Sequence, residues 1–128
     1  ACRALAAVLE HARLGRLTRS QHVLFRLGEL VAAAEGAATL ARRAVRAAEG
    51  RLPASADTRL TPAALAAASR VNARGAALHV ATEGLRWVAG AGGDVDVLLR
   101  TLDLPAVYAA QAGLVADMDA VADAVYGR

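Results

Sequence analysis

The chain of 128 residues is one domain's worth of polypeptide, enough to bury a single core. Hydrophobic residues make up 56% but aromatics only 3%, so the core must be built from alanines and aliphatics in closely approaching helices. The net charge of +3 is uneven: residues 1–60 carry ten arginines against five acids, and 61–128 carry five against seven. The densest basic run is Arg42, Arg43, Arg46 and Arg51, with almost no aromatics nearby to stack on bases. That composition disfavours nucleic acid and fits a solvated or partner-facing stripe. Cys2 stands alone, which excludes an internal disulfide or a thiolate metal cluster. No long uncharged apolar run and no signal-peptide pattern is present, so no membrane partner and a cytoplasmic setting are the expectation. The first residue is Ala, which suggests a domain drawn from a longer polypeptide.

Helical periodicity runs from Arg3 to Arg13 and stops at Gly15. Thr18 and Gln21 have capping-box spacing and predict the start of a long second helix. In it, Leu24, Leu27, Val31, Ala34, Ala38, Ala41, Val45 and Ala48 recur at spacings of three and four, predicting a bundle seam. Val23, Leu30, Ala37, Leu40 and Ala44 form a second stripe, so neighbours are predicted on two sides. At 1.5 Å per residue this helix would be about 45 Å long.

Residues 51–60, containing Pro53, Ser55, Asp57 and Thr58, read as a loop. Thr61 followed by Pro62 predicts the N-terminus of a third helix. Its predicted inward face is Leu65, Ala68, Val71, Gly75, Leu78, Thr82, Leu85 and Val88, with Gly75 permitting close backbone approach. The Gly90–Gly93 cluster ends it. Asp94 predicts the cap of a short fourth helix through Arg100, and Asp103 that of a fifth. The fifth carries Val107, Gln111, Leu114, Met118, Val121 and Val125 on one face. No segment alternates with period two. The predicted fold is all-α, an antiparallel up-and-down four-helix bundle with a short extra helix. Asp117, Asp119 and Asp123 make the last helix acidic, which would suit packing against the basic second helix.

Several short runs, weak singly, occur in a consistent order. Ala1, Cys2, Arg3, Ala4 and Leu5 give an A-x-R-A-L run; Gln21, Phe25, Leu27, Glu29 and Leu30 follow a Q-x-x-x-F-x-L-x-[E/D]-[M/L] pattern. Ala81, Thr82, Glu83 and Leu85 precede Gly90-x-Gly92, a degenerate G-G-x-G turn, and Leu98-x-Arg100 leads to Tyr108. Over nearly its whole length the chain resembles the C-terminal helical domain of acyl-CoA dehydrogenases. The resemblance implies a bundle that packs against an N-terminal helical domain and a middle β-domain of the same chain. It also implies a homo- or hetero-oligomer, an acyl-CoA substrate and an FAD cofactor oxidising the Cα–Cβ bond. The cofactor's ADP portion would meet Arg86, Gly90 and Gly92.

The departures from that pattern bear on chemistry. The position of the usual catalytic carboxylate, after Tyr108, is Ala109, so no catalytic residue is assigned to this domain. A base would lie on a partner subunit or before Ala1. The R-x-x-F-G run appears only as Arg13, Leu14, Gly15 and Arg16, without its Phe. Arg86 stands where a Gln is usual and Ala89 where the turn's first Gly is. Each candidate also has a plain reading: Arg86 as a surface arginine, Gly90 and Gly92 as a helix stop, Trp87 as a core or interface anchor. His79 and Glu83 share a helical face, but no Glu-x-x-His pair exists to build a metal site. The alternative for the whole chain is a non-catalytic helical scaffold without cofactor.

Overall fold

The computed structural model describes residues 1–127, and among them there is no strand. Six α-helices follow in order: α1 (Cys2–Leu14), α2 (Gln21–Ala48), α3 (Pro62–Gly90), α4 (Val95–Leu102), α5 (Leu104–Ala109) and α6 (Leu114–Tyr126). None is long and apolar enough to cross a membrane. Gly15 closes α1 as expected, its N–H donating to the His11 carbonyl at 2.9 Å. The start of α2 differs from expectation. Leu17–Arg19 form a turn of 3₁₀ helix, entered through Arg16 in the left-handed region, so Ser20 rather than Thr18 caps α2. The tighter turn consumes the residues that the capping box would have used.

Thr61 and Pro62 open α3 as their sequence predicts: the Thr61 hydroxyl accepts from the Ala64 N–H at 3.2 Å. Asp94 and Asp103 cap α4 and α5 in the same way. The predicted fifth helix, however, is two. Gly113, at φ 78°, separates α5 from α6, because a residue in the left-handed region cannot continue a right-handed helix.

The two long helices run in opposite directions. Ala44 and Ala47 near the end of α2 cluster with Leu65 near the start of α3, while His22 at the start of α2 meets Trp87 at the end of α3. The main core joins Val8 and Ala12 of α1, Val23, Leu27, Leu30 and Ala34 of α2, Val80 and Val88 of α3, and Leu98 and Leu102 of α4. Leu30, Leu98, Val8, Val80 and Val88 are its largest fully buried side chains.

On α2 the second predicted stripe is the buried one: Val23, Leu30, Ala37 and Ala44 are covered, together with Leu27, Ala34 and Ala47. The expected seam is only partly inside. Leu24, Val31, Val45 and Ala48 are exposed, because the covering helix occupies one side of α2 and the rows lie about 100° apart. On α3 the predicted face is right at Leu65 and Val88 and half-buried at most other positions, but Gly75 is exposed and a Cβ there would meet no neighbouring element. Ala64, Ala67, Ser69, Ala76, Val80, Ala81 and Gly84 are buried as well, since α1, α2 and α6 pack on different sides of α3. A single stripe is therefore a poor description of the central helix.

The acidic last helix does not take the basic α2 as its main neighbour. It packs on α3, where Asp117 accepts hydrogen bonds from both Arg70 and Arg74. Arg74 also donates to the carbonyls of Ala110 (2.8 Å) and Ala112 (2.9 Å), fastening the α5–α6 junction.

Candidate functional site

The sequence candidates Arg86, Gly90 and Gly92 lie together at the C-terminal end of α3. Gly90 is the last helical residue and Gly92, at φ 77°, makes the turn that stops the helix. The Gly93 N–H donates to the Val88 carbonyl at 2.8 Å and the Gly92 N–H to the Ala89 carbonyl at 2.9 Å. Those two bonds are a Schellman cap, the arrangement that satisfies the orphan carbonyls of a helix end. The Ala91 N–H is also engaged, on the Trp87 carbonyl at 3.1 Å. Gly93 completes the turn sterically: a Cβ there would lie 2.7 Å from Val88 Cγ1. The same cap ends α2, where Gly50 at φ 65° and Arg51 donate to Ala47 and Arg46.

Around this turn Val23, Arg86, Trp87, Gly90 and Ala91 line a shallow cleft of about 220 Å³. Trp87 is half-buried and heavily contacted. Its indole N–H donates to Glu83 at 3.1 Å, and His22 stands edge-on with ring centroids 5.1 Å apart. The guanidinium carbons of Arg86 and Arg26 lie 5.3 and 5.7 Å from the ring centroid, within cation–π range. Arg26 is held by a two-pronged bond to Glu29 at 2.9 and 3.0 Å, whereas Arg86 is tied to Glu83 only at 3.3 Å. Arg86 is exposed, and its loose pairing leaves it able to take an oxyanion.

His22 and Arg26 were not among the sequence candidates. They are one helical turn apart on α2 and are brought to Trp87 only by the antiparallel pairing of α2 with α3. Nothing local in the sequence carries that contact.

Tyr108 and Ala109, the other candidate region, sit apart from the turn. Both are exposed at the end of α5, which is tied to the middle of α3 by Gln111 donating to the Arg74 carbonyl at 3.4 Å. Arg74 is about four turns before Gly90, so the Ala109 region is displaced from the glycine turn by about 24 Å along α3. His79 and Glu83 do not form a ligand pair, since Glu83 is turned to Trp87 and Arg86. Among the described residues no group of three or more His, Cys, Asp and Glu could hold a metal ion.

Comparison of the chain with protein-family models, curated proteins and solved structures finds no match. The family resemblance therefore rests on the sequence motifs alone.

Proposed function

We propose that this chain is the C-terminal helical domain of an acyl-CoA dehydrogenase-like flavoprotein, with a packing role and no catalytic base of its own. In this reading α1, α2, α3 and the α5–α6 pair form an antiparallel four-helix bundle, and α4 is its short extra helix. The opposite directions of α2 and α3, and of α3 and α6, support that arrangement: Asp117 lies by Arg70 and Arg74, and Val125 lies across a cleft from Leu65.

The observation that carries the packing role is the outward row of α2. Leu24 is 52% exposed, Val31 37% and Val45 55%, an apolar edge that nothing among the described residues covers, and Phe25, 68% exposed, flanks it at the Leu24 end. Apolar rows of this kind mark association surfaces. The other domains of the parent polypeptide or a second subunit would cover it. Leu24→Glu in the complete polypeptide tests this. The expected result is a lower assembly mass in light scattering or new protease sensitivity at the domain junctions. Unchanged mass and unchanged sensitivity would contradict the role.

The fit to FAD is partial. The exposed Arg86 suits a pyrophosphate oxygen, and Gly90 allows close approach because no atom lies within 4 Å of its missing Cβ. The turn amides of residues 91–93 are engaged in the helix cap and offer no further donors. FAD would supply the acceptor for hydride removed from the acyl thioester. Arg86 would hold only its outer phosphates, and Ala109 leaves proton abstraction to a group beyond this domain.

The engaged amides favour a second reading, a helical scaffold that binds no cofactor and for which the glycines are a helix stop. Flavin content separates the two.

A further inference from the structure

A second cleft lies at the opposite end of α3 from the glycine turn, away from Arg86 and the proposed flavin contacts. It encloses about 520 Å³, within the ~300–1,000 Å³ usual for small-molecule sites. Its floor comes from Leu40, Leu60 and the buried Leu65, where the small side chains of Ala44 and Ala47 keep α2 and α3 close beneath it. The far wall is Ala124 and Val125 of α6, with Val125 62% exposed.

The charged groups are at the mouth. Arg43 donates one N–H to the Asp57 carbonyl at 2.8 Å, which holds its guanidinium at the rim with further donors open. Arg59 forks onto the Asp57 carboxylate, and hydrogen bonding from Arg59 lowers the Asp57 pKa to about 2. Asp57 thus neutralises one guanidinium of the two. Arg43 also lines an adjoining cleft of about 330 Å³ with Arg42 and Arg46. No acid occurs between Glu35 and Glu49 on α2, and Arg46 has no ion-pair partner among the described residues. An apolar floor under an excess of guanidinium groups selects for a ligand with both characters.

We propose that this cleft binds a single-chain amphiphile with an anionic head, its tail on Leu40, Leu60, Leu65 and Val125 and its carboxylate or phosphate on Arg43. Arg46 and Arg42 add field rather than direct contact.

Calorimetry at neutral pH with decanoate, decyl phosphate and decyltrimethylammonium below their micellar concentrations, and decanol below its solubility limit, tests it. The two anions should bind one to one, and decanol and the cation at least about tenfold more weakly, the size of a charge-assisted hydrogen bond. Arg43→Met should remove that preference for the anions. Ala124→Trp, at an exposed position, should fill the cleft and weaken both anions while leaving helicity intact. Absence of saturable anion binding, equal binding of decanol, or full binding by folded Ala124→Trp would overturn the proposal.

Discussion

Gly84 of α3 and Val8 of α1 pack so closely that a Cβ on the glycine would overlap both Val8 Cγ atoms. Val8 is fully buried and β-branched, so it has no spare rotamer to yield the space. Gly84→Ala gains roughly 1 kcal/mol of helix propensity but incurs about 1–3 kcal/mol of overpacking. A lower unfolding midpoint is expected in urea or on heating. Gly75→Ala, on the same helix with nothing within 4 Å, should raise the midpoint by the propensity term alone. Equal shifts in both variants would mean the α1–α3 contact is looser than described.

The glycines at the end of α3 divide structural from binding roles. Gly92 is in the left-handed region, so Gly92→Ala should destabilise by about 1 kcal/mol through the helix cap. Gly90 is helical and faces open space, so Gly90→Ala should stabilise by roughly 0.5–1 kcal/mol. If a ligand approaches the turn closely, Gly90→Ala will lower its affinity while raising the melting midpoint. Opposite signs in the two readouts can arise only from binding.

Asp117 links α6 to α3, and its hydrogen bonds from Arg70 and Arg74 hold its pKa below the ordinary value of 3.8. A depressed folded pKa contributes stability that is complete above 3.8 and is lost as pH falls through the folded value. Asp117→Asn should therefore be less stable than the parent at neutral pH, with the gap closing as pH falls below 3.8. Thermal midpoints by circular dichroism across that range check this. A gap independent of pH would assign the loss to packing instead of ionisation.

What could be read in the sequence was what is encoded locally. The Thr61, Asp94 and Asp103 caps, the Gly15 stop and the loop over residues 51–60 each depend on a few adjacent residues, and each is found where expected. The outward phase of Leu24, Val31 and Val45 was not legible, because alanine-rich α2 has apolar residues on two rows and only its neighbours decide which is covered. Gly84, and not the predicted Gly75, makes the close approach, since that depends on where α1 crosses α3. The break at Gly113 was hidden by an apolar spacing that continues across it. At the candidate site, the order of motifs singles out Arg86, Gly90 and Gly92, which lie together at the end of α3, whereas the contact of His22 and Arg26 with Trp87 depends on pairing between distant helices.

The most direct measurement is a visible absorption spectrum of the polypeptide that carries this chain, purified gently with any co-purifying partner. Bands of oxidised flavin at near-stoichiometric strength are expected, and weaker bands in Arg86→Ala. A folded, colourless protein that takes up no added FAD would contradict the flavoprotein reading and leave a cofactor-free scaffold.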